Sequence, residues 1–408
     1  MQNNRRATDK IEKDFERAYE FHQNGNLSKA EYIYRKIIKN APSHFEALNF
    51  LGIVLFSTSR RVEALDLLSR SVKLNPNFAA AQCNLGIVQK ELGRYDESIQ
   101  SFNAAIRCNY NFFLAHLNKG DALNKMGKHQ EALECYDITL NINPNATDAH
   151  YSRIATLFNI GQFDKVIALC ISTEPLFSQS SDFYQLFGLA FHALRKMGSA
   201  IEAFGKALAL DPNNVHAFCN RANVYKDLED YPMALRDLTQ ALDINPELPL
   251  ALFNIGNIQI TSGLNKDAVC SLEKLVRVSP DYPFAKGYLL RAKMIICDWN
   301  GLNDLHQSIS TDLKSGIKSA EPFGFQAISQ SPSDLHLCAR IFASERFPSA
   351  QIYNLKPKSN SNGEKIRIGY LSGEFRNQAT SILLIGVLEN HEARRCFMWV
   401  ACPAPLRR

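Results

Sequence analysis

The 408-residue sequence predicts a mostly α-helical protein: about eight stacked helix pairs, then linker helices, then the opening of an α/β domain. Three observations point there. Prolines that follow helix-like runs recur at Pro42, Pro76, Pro144, Pro212, Pro246 and Pro280, each 34 or 68 residues from the last. Small residues recur in phase with them at two further positions of the same period. The stretch IRIGYLSGEFRNQATSILLIGVLENH, residues 366–391, reads as a buried strand, a polar loop and an amphipathic helix.

Taken in order, residues 1–10 are a polar arm, without the apolar run of a secretory signal. Residues 11–282 hold eight units with no insertion or deletion. One comb of small residues is Ala18, Gly52, Gly86, Gly120, Ile154, Gly188, Ala222 and Gly256; the other is Ala30, Ala64, Ser98, Ala132, Val166, Ala200, Ala234 and Ala268. A period of this size means a stack of helix pairs. Both combs fall where the helices of a pair cross, where a bulky side chain would hold them apart. The proline fixes φ in the link to the next pair and cannot continue the previous helix. Gly25, Gly93, Gly127, Gly161 and Gly263 suit the turn inside the pair. The fifth unit, 147–180, departs, with Ile154, Val166 and Ser178 at the comb positions. Either its helices are splayed, bending the stack, or local repacking absorbs the larger side chains.

Units such as LGIVQKELGRYDESIQSFNAAI and LNKGDALNKMGKHQEALECYDITLNINPN resemble tetratricopeptide repeats. The resemblance implies a right-handed superhelix (a TPR superhelix) whose concave groove is lined by the first helix of each pair. Two residues before the first comb, four units carry asparagine: Asn84, Asn118, Asn220 and Asn254. An amide offers both a donor and an acceptor, so such a row can bond the backbone of an extended peptide in a sequence-tolerant way. Equally, each Asn can simply hydrate a polar face or bond a neighbouring helix. Units one, two, five and six depart, with Glu16, Phe50, Ser152 and Leu186 there. The row is similar to the asparagine ladder of the animal O-linked N-acetylglucosamine transferases, which implies a peptide-binding groove. The expected partners are extended peptide segments or proteins.

Residues 283–354 read as linker helices broken around Gly316, Pro322 and Pro332, and 355–365 as a polar loop. The strand Ile366–Leu371 follows, and Phe397–Cys402 could pair as a second short strand before Pro403. The succession GYLL, AKM, CDW, then PF, AR, FA, then KIRIGYLSGEFRNQATSILL resembles bacterial members of glycosyltransferase family 41, the O-linked N-acetylglucosamine transferases and SPINDLY-like proteins. That resemblance implies an enzyme moving N-acetylglucosamine from a uridine diphosphate donor (UDP-GlcNAc) to Ser or Thr hydroxyls, in a cleft between two Rossmann-like lobes.

Within the loop, Arg376, Gln378, Thr380 and Ser381 would be the remnant of a donor site near a helix N-terminus. The plainer alternative makes Thr380 or Ser381 a helix cap and Arg376 a solvated charge. Animal members carry two histidines in this loop; Gln378 and Ile382 stand at those positions and cannot titrate. Residues 366–408 are therefore expected to be a truncated start of the catalytic lobe with a divergent tail. The expected function is a peptide- or protein-binding scaffold without catalysis of its own and without a bound cofactor. The alternatives are a working component of a family 41 transferase and a prematurely ended product without a role.

Composition excludes other classes. Net charge is +5, and Arg394, Arg395, Arg407 and Arg408 supply +4 of it, which is too little and too local for nucleic acid. No segment reaches the roughly 18 apolar residues of a membrane span. The ten cysteines show no CxxC and no zinc spacing, so they read as reduced thiols of a cytoplasmic protein, most of them small apolar fillers.

Overall fold

Helix, three-residue turn, helix: this unit repeats eight times along the computed structural model. The structure describes residues 2–346, with side chains from residue 10 onward, and the backbone of 366–371 and 396–401. The pairs are α1 (Gln2–Gln23) with α2 (Leu27–Asn40), α3 (Phe45–Ser57) with α4 (Arg61–Leu74), and α5 (Ala79–Glu91) with α6 (Tyr95–Cys108). Next come α7 (Phe113–Lys125) with α8 (His129–Ile142) and α9 (Thr147–Asn159) with α10 (Phe163–Thr173). Then follow α11 (Ser181–Ala193) with α12 (Met197–Leu210), α13 (Val215–Asp227) with α14 (Tyr231–Ile244), and α15 (Pro249–Thr261) with α16 (Asn265–Val278). Four more helices complete this part: α17 (Ala285–Ile295), α18 (Leu302–Lys314), α19 (Pro322–Gln326) and α20 (Pro332–Arg346).

The combs are the inside of the stack. Every member of both is buried, and all eight of the Ala30-to-Ala268 series are sealed from solvent. Their partners form a further series that the sequence reading missed. It lies sixteen residues after the first comb: Tyr34, Leu68, Phe102, Tyr136, Cys170, Phe204, Leu238 and Leu272, all fully buried. A Cβ added to Gly86 would stand 2.6 Å from the Phe102 ring, one on Gly120 2.6 Å from Tyr136, and one on Gly188 2.7 Å from Phe204. Glycine is there because the large side chain lies flat on its backbone. The fifth pair inverts the sizes, with Ile154 in the first series and Cys170 in the other. The larger residue faces a smaller partner, yet α9 and α10 pack along much less of their length than the helices of the other seven pairs, which is the splayed alternative.

The turn inside each pair puts its middle residue in the left-handed region: Gly25, Ser59, Gly93, Gly127, Gly161, Arg195, Glu229 and Gly263. The following amide then donates to the carbonyl five residues back, as Asn26 does to Phe21 at 2.8 Å and Leu264 to Gln259 at 2.7 Å, closing the helix C-terminus. Between pairs, Asn75, Asn109, Asn143, Asp211 and Asn245 each accept from the amide two residues on, at 3.0–3.2 Å. At the fifth slot the residue is Phe177. The aspartate-type turn is replaced there by a 3₁₀ turn, Glu174–Leu176, and α10 is shorter than the other second helices.

Five of the eight cysteines in the described residues are buried fillers. Burial pushes the thiols of Cys83, Cys170 and Cys219 up to about 12, which keeps them protonated and unreactive near neutral pH.

Residues Met1–Phe342 form one unit and Ala343–Arg408 a second. In the second, β1 (Ile366–Leu371) and β2 (Cys396–Ala401) pair in parallel, Ile366 opposite Cys396 through Leu371 opposite Ala401. The strand expected at Ile366–Leu371 is present, and the second begins one residue earlier than expected. Arg376, Gln378, Thr380 and Ser381 lie outside the described residues.

Candidate functional site

Successive first helices touch one another along the stack, α1 on α3, α3 on α5 and so on to α15 on α17, whereas successive second helices do not pack together. The first helices therefore line the inner face and the second helices fan outward. The four asparagines all ride on first helices, but their surroundings differ.

Asn84 donates from Nδ2 to Asn49 Oδ1 at 2.9 Å, across to α3. Asn118 is engaged twice: its Nδ2 donates to the Leu114 carbonyl of its own helix at 2.9 Å, and its Oδ1 accepts from Lys90 Nζ at 3.0 Å. Asn254 is only 6% exposed, and its Nδ2 is shut off from solvent without a partner. Asn220 is half-buried and has no side-chain partner among the described residues. Its neighbour Arg221 is held by two 2.7 Å bonds to the buried Asp237. Of the row, Asn220 has both amide groups left for a ligand.

The polar centre of the inner face lies one helical turn from Asn118, on the same helix. Asp121, three residues after Asn118 and on the same side of α7, accepts from Tyr136 Oη at 3.0 Å and Ser152 Oγ at 3.3 Å, and lies 3.5 Å from Lys90 Nζ. Burial, and then the Asp121 charge, raise the Tyr136 hydroxyl above its ordinary range, so it stays a donor. A cleft of about 550 Å³ opens beside this network, lined by Lys90, Asp121, Asn124 and Tyr151 among others. A second, of about 670 Å³, is lined by Asp148, Tyr151, Gln179 and Asp182 among others, and the two share Tyr151 and Ser152. They run as one trough from α5 to the start of α11. The signal that could have located it is the same-face offset: Lys90, Asn124 and Lys226 sit four residues after the first comb. Spacings of three and four residues share a helix face.

The repeat pattern has counterparts among known proteins. The tetratricopeptide-repeat pattern matches residues 15–77, 60–111, 113–146 and 215–248, and a related TPR pattern matches 188–229. The chain is a tetratricopeptide-repeat protein. It is similar to small glutamine-rich tetratricopeptide repeat-containing protein 2 of Mycosarcoma maydis, at 35% identity over 96 residues, 24% of this chain and 27% of that protein. It is also similar to the human protein O-mannosyl-transferase TMTC3, at 33% identity over 127 residues, 31% of this chain and 14% of that one. The chain thus spans about a quarter or less of these relatives. Among solved structures, a tetratricopeptide repeat protein from Parabacteroides merdae covers 61% of this chain and 98% of its own, at 15% identity and a TM-score of 0.47.

Among the described residues no helix is long and apolar enough to cross a membrane.

Proposed function

We propose that the chain is a scaffold that holds an extended segment of a partner protein against its inner helices. The observation that carries this is the continuous trough shared through Tyr151 and Ser152, together with the unspent amide of Asn220 on the same inner face. A main chain laid there meets alternating donors and acceptors, which favours extended peptides over a single sequence. The test is binding of arrayed peptides to the full chain and to Asn220→Ala and Tyr151→Ala, with circular dichroism checking that each variant folds, because the Tyr151 ring also meets Phe177. Each variant is expected to weaken binding about three- to tenfold, the worth of one net hydrogen bond or one aromatic contact. Unchanged affinity in both would remove the groove from the account. Asn118 and Asn254 are poorer probes, because one restrains Lys90 and the other is enclosed.

The finer reading, descent from a protein O-N-acetylglucosamine transferase, rests on the sequence resemblance of residues 298–384. We propose the chain as the repeat and linker portion of such an enzyme, binding its protein substrates without transferring sugar. Incubation with radiolabelled uridine diphosphate N-acetylglucosamine and a cell lysate separates the cases. No label transfer is expected, and transfer would make the chain itself a catalyst.

A further inference from the structure

The inner face does not end with the eighth pair. On α17, Tyr288, Arg291 and Met294 follow Asn254, Asn257 and Ile260 by one 34-residue period, so they continue the same side. Here the chain folds back on its own face. The Phe284 and Gly287 amides donate to the carbonyls of Lys318 and Ser319, at 2.6 and 2.9 Å. A Cβ on Gly287 would stand 2.7 Å from Ala320 Cα, so glycine is what permits the approach. Lys286 Nζ and Ser319 Oγ both bond Asp312 Oδ2, at 2.5 and 2.7 Å, which pins the returning segment to α18. Between α17 and α19 remains a cavity of about 340 Å³, lined by Tyr288, Arg291, Met294, Ile295, Phe323 and Ala327, with the Glu321 carboxylate at one side accepting from Tyr288 Oη at 3.4 Å. Phe323 stands at its mouth, 92% exposed.

We infer that this cavity is the anchor subsite of the groove, taking one bulky apolar side chain, Leu, Met or Phe, of the extended partner segment. The inference rests on the peptide-binding reading above. Its size is that of the smallest ligand pockets, enough for one or two side chains rather than a folded surface. The chemistry of the face changes in register, from Asn220, Asn223 and Lys226 on α13, through Asn257 on α15, where Asn254 and Ile260 are enclosed, to Tyr288, Arg291 and Met294 on α17. One strand crossing these helices would be held first by its backbone and last by a side chain. The distance sets the motif. Packed helices stand 8–10 Å apart, so two periods are about 16–20 Å, and an extended chain covers that in about five or six residues. A backbone group at Asn220 and the anchor in the cavity therefore belong about five or six positions apart.

The test is selection of a random dodecapeptide display library on the full chain, followed by dissociation constants for the selected peptides. The variants are Phe323→Ser, Ile295→Glu and Asn220→Ala; all three side chains reach solvent, and circular dichroism confirms their folding. Binders are expected to share one large apolar position. Replacing it with serine should cost tenfold or more on the unmodified chain and under threefold on Phe323→Ser or Ile295→Glu. Binders that lack the apolar position, or that bind Phe323→Ser unchanged while losing affinity on Asn220→Ala, would overturn the anchor and leave the groove. A library that yields no binder would bring down both. Self-association abolished by Phe323→Ser, or capture of a synthetic peptide of residues 379–391 at this cavity, would assign it to a second copy or to the chain's own segment and equally overturn the inference.

Discussion

Glu229 holds a backbone conformation that its own side chain opposes. Its φ is 62°, in the turn between α13 and α14, where five of the eight equivalent turns use glycine. A Cβ in the left-handed region costs roughly 1–2 kcal/mol, and the glutamate makes no hydrogen bond or ion pair among the described residues that would offset it. Glu229→Gly releases that strain, less the roughly 0.4–1 kcal/mol by which glycine loosens the unfolded chain. Urea unfolding is expected to show a net gain of up to about 1 kcal/mol; a loss would mean the turn is set by something other than φ. Arg195 sits in the same conformation with a different outcome in store. Its guanidinium donates to Asp227 at 2.7 Å, so the same replacement there gives back part of the gain. The asparagine row depends on its surroundings in the same way. Four identical residues at one repeat position end in four environments, because Asn49, Lys90 and the depth of α15 are not properties of the asparagines themselves.

Between the two helices of a pair, glycine and a large side chain form a matched lock. Gly86 with Phe102 is one setting, Ala222 with Leu238 a middle one, and Ile154 with Cys170 the reverse. The positions are interchangeable by register, which makes the lock testable. Gly86→Ile alone should cost about 1–3 kcal/mol by overpacking against the Phe102 ring. Phe102→Cys alone should cost about 3–5 kcal/mol through the cavity it leaves. Together they copy the fifth pair, and the double variant should recover about 2 kcal/mol relative to the sum of the singles. Strict additivity in urea unfolding would show that the sizes are independent.

The helix pairs themselves were legible because small residues at a crossing and a proline after it repeat in phase. The large partners were missed since Tyr34, Leu68, Phe102 and Cys170 share volume complementarity with the comb rather than a residue type. The trough at Asp121 and Tyr151 was missed for another reason: it depends on which neighbouring helix each side chain meets, and periodicity within one unit carries no such information.

A stack of repeats is as cooperative as its weakest junction, since each pair touches only its neighbours. The junction from the fifth pair to the sixth lacks the proline and the aspartate-type turn used elsewhere. Phe177 occupies the turn position instead and lies flat on Phe183, with ring centroids 4.8 Å apart and planes 9° apart. Phe183 in turn meets Tyr184 and Phe187, and Phe187 stacks on Phe191 at 4.5 Å. One buried cluster thus runs from Leu117 to Ala217 through this junction without a break. Aromatic packing has taken over what turn chemistry does at the other junctions.

The unmodified array is expected to unfold in urea as one transition, and Phe183→Ala, at a cost of about 3–5 kcal/mol, should split it into two. Hydrogen exchange would then assign the halves, with α1 to α10 and α11 to α16 losing protection separately. A single transition merely shifted to lower urea would place the coupling in helix-on-helix packing outside the aromatic stack. In that case Phe177→Ala should be no more damaging than truncating any other buried phenylalanine of the stack.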